Sequence, residues 1–276
     1  MDINFTKMHG LGNDFMVIDA IHQELNLTGS VVRQLADRRR GVGFDQLLIV
    51  EPSSQSGIDF TYRIFNADGA EVGQCGNGAR CFARFVIDKG LINKDNIAVM
   101  TKSGLLELHL EKDGMIRVNM GKPDFDPKNV PFEAKMRSSS YNLDIEGKEY
   151  SLSAVSIGNP HAVLIVNDCA KAPVNEVGPL IQDLALFPEG VNVGFMQILN
   201  ADEISLRVFE RGAGETQACG SGACAAMVCG RNLGKLNQEV TVHLHGGDLK
   251  INWEHETAPV YMTGTATSVY EGHISL

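Results

Sequence analysis

The stretches QCGNGARC (74–81) and ACGSGAC (218–224) each place a cysteine, Cys75 and Cys219, before a Gly-x-Gly-Ala run that opens a helix-like segment. What precedes them also matches. FTYRIFN (60–66) ends on Asn66 and ISLRVFE (204–210) ends on Glu210, both alternating like half-buried strands, and the cysteine follows nine residues later in each case. Gly12-Asn13 has a counterpart in Gly158-Asn159, and 33 residues beyond each Asn stand Gln46 and Asn192. VNMG (118–121) matches VYMTG (260–264), so the shift is 146 from Asn13 to Asn159, 144 from Cys75 to Cys219 and 142 from Met120 to Met262. Such a register means that the chain contains one structural type twice, with a period far too long for a solenoid.

Each copy must then fold as a half with its own core. Strands outnumber helices and do not alternate regularly with them, which predicts an α+β fold of two pseudo-symmetric domains. Each domain is expected to be a mixed β-sheet rolled barrel-like around one central helix, with the active site in the cleft between them. The first domain covers 1–119 and the second 120–264, while 265–276 have no counterpart in the register and are expected to cross back onto the first. The first helix should bury Ala79, Phe82, Phe85 and Val86 and stop at Gly90; the second should bury Ala223, Ala226 and Met227 and stop near Gly234.

Composition narrows the chemistry. A chain of 276 residues, 43% hydrophobic, can bury a substantial core. The start MDINFTKMHG lacks the features of a signal peptide and no apolar run approaches the ~18 residues of a membrane span, so a cytoplasmic protein without membrane contact is expected. A net charge of -10 disfavours nucleic acid as a partner. The one basic run, Arg38 to Arg40, reads as cations at the negative end of a helix that stops before Gly41. Six cysteines are too few for a disulfide scaffold and should be thiols used for packing, metal binding or catalysis.

A thiol directly before a helix start sits beside free N–H groups and a positive dipole end, which draws its pKa from about 8.5 towards neutrality. The same N–H groups bind anions, and glycine allows a close approach. Two such thiols facing one carbon beside a bound carboxylate are what a two-base racemase or epimerase requires, with base on one face and acid on the other. Loss of one oriented donor to the developing charge would cost roughly 3 kcal/mol of barrier. A lone cysteine is more often core filler. The matched pair argues for function, whereas Cys81, Cys169, Cys224 and Cys229 have no matched partner and read as packing. Cys219, Cys224 and Cys229 recur every five residues, turning about 140° each time on a helix, so they cannot share a metal. His243 and His245 read as a solvated strand face, and HGLGND (9–14) lacks the third glycine of a dinucleotide loop.

Taken together, KMHGLGNDF, FNADGAEVGQCGNGARC, GNPHAV, GVNVGF and FERGAGETQACGSGA resemble diaminopimelate epimerase over essentially the whole chain. The resemblance implies interconversion of LL- and meso-diaminopimelate, in lysine and peptidoglycan precursor synthesis, without pyridoxal phosphate, metal or other cofactor. It implies Cys75 and Cys219 as the acid/base pair, with His161 and Glu210 assisting catalysis. It puts the reacting carboxylate on Gly76, Asn77, Gly220 and Ser221. The distal centre would meet Asn66, Asn192 and Arg211, with Asn13, Gln46 and Asn159 completing the substrate shell, to which Glu210 also belongs; a fixed cation for one carboxylate and acceptors for one ammonium suit a second zwitterionic end. Read without the resemblance, Asn13 and Asn159 are also good turn residues, His161 could pack, and Arg211 could form a surface ion pair. The resemblance further implies a homodimer, with Tyr270 at the contact.

Overall fold

A computed structural model of the chain describes residues 2–73 and 75–276. It divides into two compact units, Met1–Asn119 with Thr263–Leu276, and Met120–Met262. In the first unit the elements are β1 (Asp2–Gly10), β2 (Asn13–Asp19), α1 (Gly29–Ala36), β3 (Gln46–Pro52), β4 (Phe60–Asn66), β5 (Glu71–Val72), α2 (Gly76–Asp88), β6 (Asn96–Thr101), β7 (Gly104–Leu110) and β8 (Ile116–Asn119). The second holds β9 (Tyr141–Ile145), β10 (Lys148–Ser156), β11 (Pro160–Ile165), α3 (Val174–Gln182), β12 (Asn192–Asn200), β13 (Glu203–Glu210), β14 (Gly214–Glu215), α4 (Gly220–Asn232), β15 (Glu239–Leu244), β16 (Gly247–Trp253) and β17 (Val260–Gly264). Last comes β18 (Thr267–Ser275), which pairs antiparallel with β1 and so completes the first unit. The second unit ends within β17, at Met262.

The duplication is present strand by strand. β2 runs parallel to β3 with Phe15 opposite Gln46, and β11 runs parallel to β12 with His161 opposite Asn192. Both pairs obey the shift of 146. β4 lies antiparallel to β3 and parallel to β6, as β13 lies antiparallel to β12 and parallel to β15. Each sheet is therefore mixed. Gly12 (φ 86°) and Gly158 (φ 81°) turn the chain back immediately before Asn13 and Asn159, in a left-handed conformation that glycine adopts without steric cost.

Helix α2 packs against β1, β2, β3, β7, β8 and β18, strands from both ends of its sheet. A flat sheet could not offer both ends to one helix, so the sheet curls around it. In the second unit α4 touches β10, β11, β12, β13, β15 and β16 in the same way. The outer face carries a second layer, with Val32, Leu35 and Ala36 of α1 against Met16, Ile18, Leu47 and Ile49. Val174, Val177 and Ile181 of α3 cover Ala162, Leu164, Val193 and Phe195 likewise. Buried on both faces, β2, β3, β11 and β12 carry near-continuous apolar runs.

Helix α4 buries Ala223, Ala226 and Met227 as expected, and with them every residue from Gly222 to Gly230, because the sheet encloses the helix and small residues on all sides let the strands close in. One sequence expectation needs correction here. Helix α1 ends at Ala36, so Arg38 does not serve its dipole. Instead Arg38 reaches both oxygens of Asp14, at 2.9 and 2.6 Å, and Asp45 Oδ1 at 2.8 Å. No helix among the described residues is long and apolar enough to cross a membrane. Tyr270 on β18 is exposed, its ring edge-on to Phe5 at 6.0 Å.

Candidate active site

In the first unit the site grows from the start of α2. Cys75 has extended backbone (φ -147°, ψ 112°) and is the N-cap, its Sγ accepting the Gly78 N–H at 3.3 Å. The first-turn amides Gly76 and Asn77 follow, a position where the helix ladder supplies no carbonyl partners. Asn13, brought in by the β1–β2 turn, sets its Oδ1 3.8 Å from Cys75 Sγ and 3.4 Å from Asn77 Nδ2. Next along the sheet, the Gln46 amide donates to Asn66 Oδ1 at 2.8 Å across β3 and β4. Asn13, Gln46, Asn66, Cys75, Gly76 and Asn77 thus fall into two contact groups of one unit.

The second unit repeats the plan with different neighbours. Cys219 caps α4, with Ser221 Oγ 3.7 Å from its Sγ. Asn159 Nδ2 lies 3.5 Å from the same Ser221 hydroxyl, and Asn159 Oδ1 lies 3.0 Å from His161 Nε2. Asn192 Oδ1 accepts the Arg211 backbone N–H at 2.9 Å, which fixes the corner after β13. Arg211 is exposed and rests its guanidinium on the Glu189 carbonyl at 2.6 Å. Glu210 accepts from the Thr216 hydroxyl and stands close enough to Cys219 to act on its acidity.

That last contact overturns an expectation. Burial pushes the Cys219 thiol well above its usual range and the Glu210 carboxylate pushes it further, while the Gly222 N–H and Ser221 pull the other way and lose. The helix start alone does not make a thiolate when the sulfur is enclosed and faces a carboxylate. Cys81 and Cys229, wholly buried, are likewise raised by burial and stay packing thiols. His243 pairs with Asp248 at 2.8 Å, and β15 ends at Leu244, so His245 lies beyond the strand.

A sequence model of the diaminopimelate epimerase family matches residues 5–125 and 153–269, most of the chain and both units. The chain belongs to the diaminopimelate epimerase family. Among solved structures, a phenazine biosynthesis protein of the PhzF family from Bacillus anthracis is 19% identical, with all of both chains covered and a TM-score of 0.67. A hydroxyproline epimerase from Agrobacterium vitis, solved with trans-4-hydroxy-L-proline, is 13% identical over 100% of this chain and 93% of that one, at a TM-score of 0.71. A probable proline racemase from Agrobacterium radiobacter is 15% identical, covering 99% and 93%, at a TM-score of 0.70. At these identities the likeness is one of fold.

Within this member of the diaminopimelate epimerase family, two features escaped the sequence reading. Arg63 on β4 grips Glu71 with two bonds of 3.0 and 3.1 Å, and Arg207 on β13 grips Glu215 with bonds of 2.6 and 2.9 Å. Both arginines and both glutamates obey the shift of 144, and each glutamate stands four residues before its cysteine. The register was the signal for them. Paired in this way, each arginine holds its glutamate below the usual carboxylate range and anchors the approach to the cysteine loop. Asp45, on Asn13, is the second, and its counterpart under the shift of 146 is Val191, so no repeat pointed to it.

His161 is buried, and burial, with the Arg211 charge adding to it, lowers its pKa to about 3. Near neutral pH it is an uncharged ring whose Nε2–H donates to Asn159 Oδ1. The linkage has a definite sign. Between about pH 6.5 and about pH 3 the unfolded chain binds a proton that folded His161 refuses, so stability falls as the pH falls. His161→Gln should remove this single-proton dependence, making urea-unfolding stability shallower by about 1.4 kcal/mol per pH unit over that window. Equal slopes in both proteins would refute the assignment.

Proposed function

We propose that the protein epimerises diaminopimelate between its LL and meso forms, with Cys75 and Cys219 acting on one α-carbon from opposite sides. The observation that carries this is that each unit builds the same device, a cysteine capping a 13-residue helix whose first amides are glycine-rich, with an asparagine beside it. Stereochemical inversion needs one acid and one base that exchange roles, and duplication supplies two such groups.

The neighbours divide the roles. Cys219 begins as a thiol, and Glu210 is placed to take its proton. The thiolate so formed removes the α-hydrogen, its electron pair passes into the carboxylate, and Cys75 delivers its own proton to the opposite face. The reverse reaction runs the same transfers backwards. The N–H groups that open α2 and α4 would meet the carboxylate as charge grows on it. Gln46 Oε1 is buried without a partner among the described residues, an acceptor suited to the ammonium of the distal centre, and Arg211 supplies a cation for its carboxylate.

The test is wash-in of deuterium at the α-carbon of LL-diaminopimelate in heavy water, with no cofactor added. Label should enter as the meso form appears. Proline and 4-hydroxyproline run in parallel should show none, and exchange confined to those imino acids would replace this reading with a proline-racemase activity.

A further inference from the structure

Asn13 and Asn159 occupy equivalent places in the two units, yet their amides are turned by different partners. Asn159 gives its oxygen to His161 Nε2 at 3.0 Å and its nitrogen to Ser221. Asn13 gives its nitrogen to Asp45 Oδ2 at 2.9 Å, so its oxygen points at Cys75 Sγ. A carboxylate is acceptor-only, and this settles which end of the Asn13 amide faces it. Asp45 is itself held firmly: Oδ1 takes Arg38 Nη2 at 2.8 Å, Oδ2 takes the Asp14 N–H at 3.1 Å, and its own N–H goes to Asp14 Oδ1 at 3.0 Å. Asp14 binds Lys7 as well as Arg38. Burial would raise Asp14, but its bonds to Arg38 and Lys7 prevail and keep it ionised.

We propose that Asp45 is a positioning residue for this same reaction, locking the Asn13 amide with its oxygen against the Cys75 sulfur and so favouring the S–H form of Cys75 until the α-carbon is presented. The inference rests on the two-thiol reading for its purpose but not for its test. An acceptor oxygen beside sulfur is satisfied by S–H and repels a thiolate, opposing the Gly78 N–H and the helix dipole. When Cys75 acts as the base, the same oxygen strengthens its pull on a proton, which abstraction from a weak carbon acid needs. Tyr62 of β4 and Cys81 of α2 sense charge on Cys75; burial raises both, so both stay neutral near neutral pH. Arg80 of α2, buried in the same turn region, keeps a constant charge.

The experiment measures the rate of Cys75 alkylation by iodoacetamide against pH in the free protein, followed by peptide mapping. In Asp45→Ala the Asn13 amide loses its 2.9 Å bond and keeps only the 3.4 Å contact of its oxygen with Asn77 Nδ2, so it can turn its nitrogen to the sulfur. The midpoint of the profile should then fall by about one pH unit, giving about tenfold more reactive thiolate on the acid side. Asp45→Asn, which keeps an acceptor oxygen, should stay near wild type. A purely structural loosening would change the plateau rate and leave the midpoint in place. Asn13→Ala leaves the Asp14, Arg38 and Asp45 cluster intact and should show the same fall, so the prediction stands even if Asp45→Ala does not fold. Unmoved midpoints in the folded variants overturn the proposal. Absence of deuterium wash-in from the wild-type protein, with the shift present in the variants, would instead sink the diaminopimelate reading alone.

Discussion

Under the proposed two-thiol mechanism, alanine in place of Cys75 or Cys219 is expected to lower epimerisation of diaminopimelate at least about a thousandfold, because each variant would lack a proton donor or acceptor on one face of the carbon. The two variants should differ in stability. Cys75 Sγ caps α2 by accepting the Gly78 N–H, so Cys75→Ala loses a cap worth about 1 kcal/mol. Cys75→Ser can retain an acceptor there and should recover stability without recovering activity. Cys219 also draws on the Gly222 N–H but is more deeply buried than Cys75, so its replacement adds the loss of a buried sulfur to the loss of that contact. Circular dichroism and thermal melting would confirm that both variants fold. Either alanine variant keeping more than a tenth of wild-type turnover would end the two-thiol mechanism.

Gly78→Ala should also damage the protein, by a different route. A Cβ there would stand 2.5 Å from the Tyr62 hydroxyl, 3.2 Å from Leu48 Cδ2 and 3.3 Å from Phe15 Cε1. Tyr62 is fully buried and leans on Phe82 at 4.5 Å between centroids, so its ring cannot swing aside. The first turn of α2 must move instead, carrying the Gly76 and Asn77 amides with it and breaking the Gly78 contact to Cys75. A loss of about 2 kcal/mol in stability and well over tenfold in turnover is expected. Tyr62→Phe supplies the control. That hydroxyl has no hydrogen-bond partner among the described residues, so removing it alone should cost little. Combined with Gly78→Ala it removes the worst clash and should restore more than half of the lost stability in a double-mutant cycle. Additive effects of the two substitutions would show that the helix start is not held by this contact.

Much of this was legible before any coordinates. The shift from 146 to 142 predicted two mixed sheets, and pairings such as Phe15 with Gln46 and His161 with Asn192 realise it. Gly90 and Gly234, both with positive φ, close α2 and α4 where the apolar pattern stops. These features are local or repeated, and periodicity and repetition survive in a linear string. The same register held the Arg63–Glu71 and Arg207–Glu215 clamps, although the cysteines drew the reading away from them.

The direction of an amide and the acidity of a thiol are different in kind. In sequence Arg38 has the look of a helix-end cation; the loop that leads from α1 into β3, beside β2, sets Asp14 and Asp45 before it. Cys219 looked like an activated thiol until burial and Glu210 raised it. The doubled architecture and the two helices opened by a cysteine follow from chain-local spacing, which encodes them. Which oxygen faces which sulfur is settled by packing. Hydrogen-bond direction and desolvation depend on groups brought close from distant strands, and spacing along the chain carries no record of that distance.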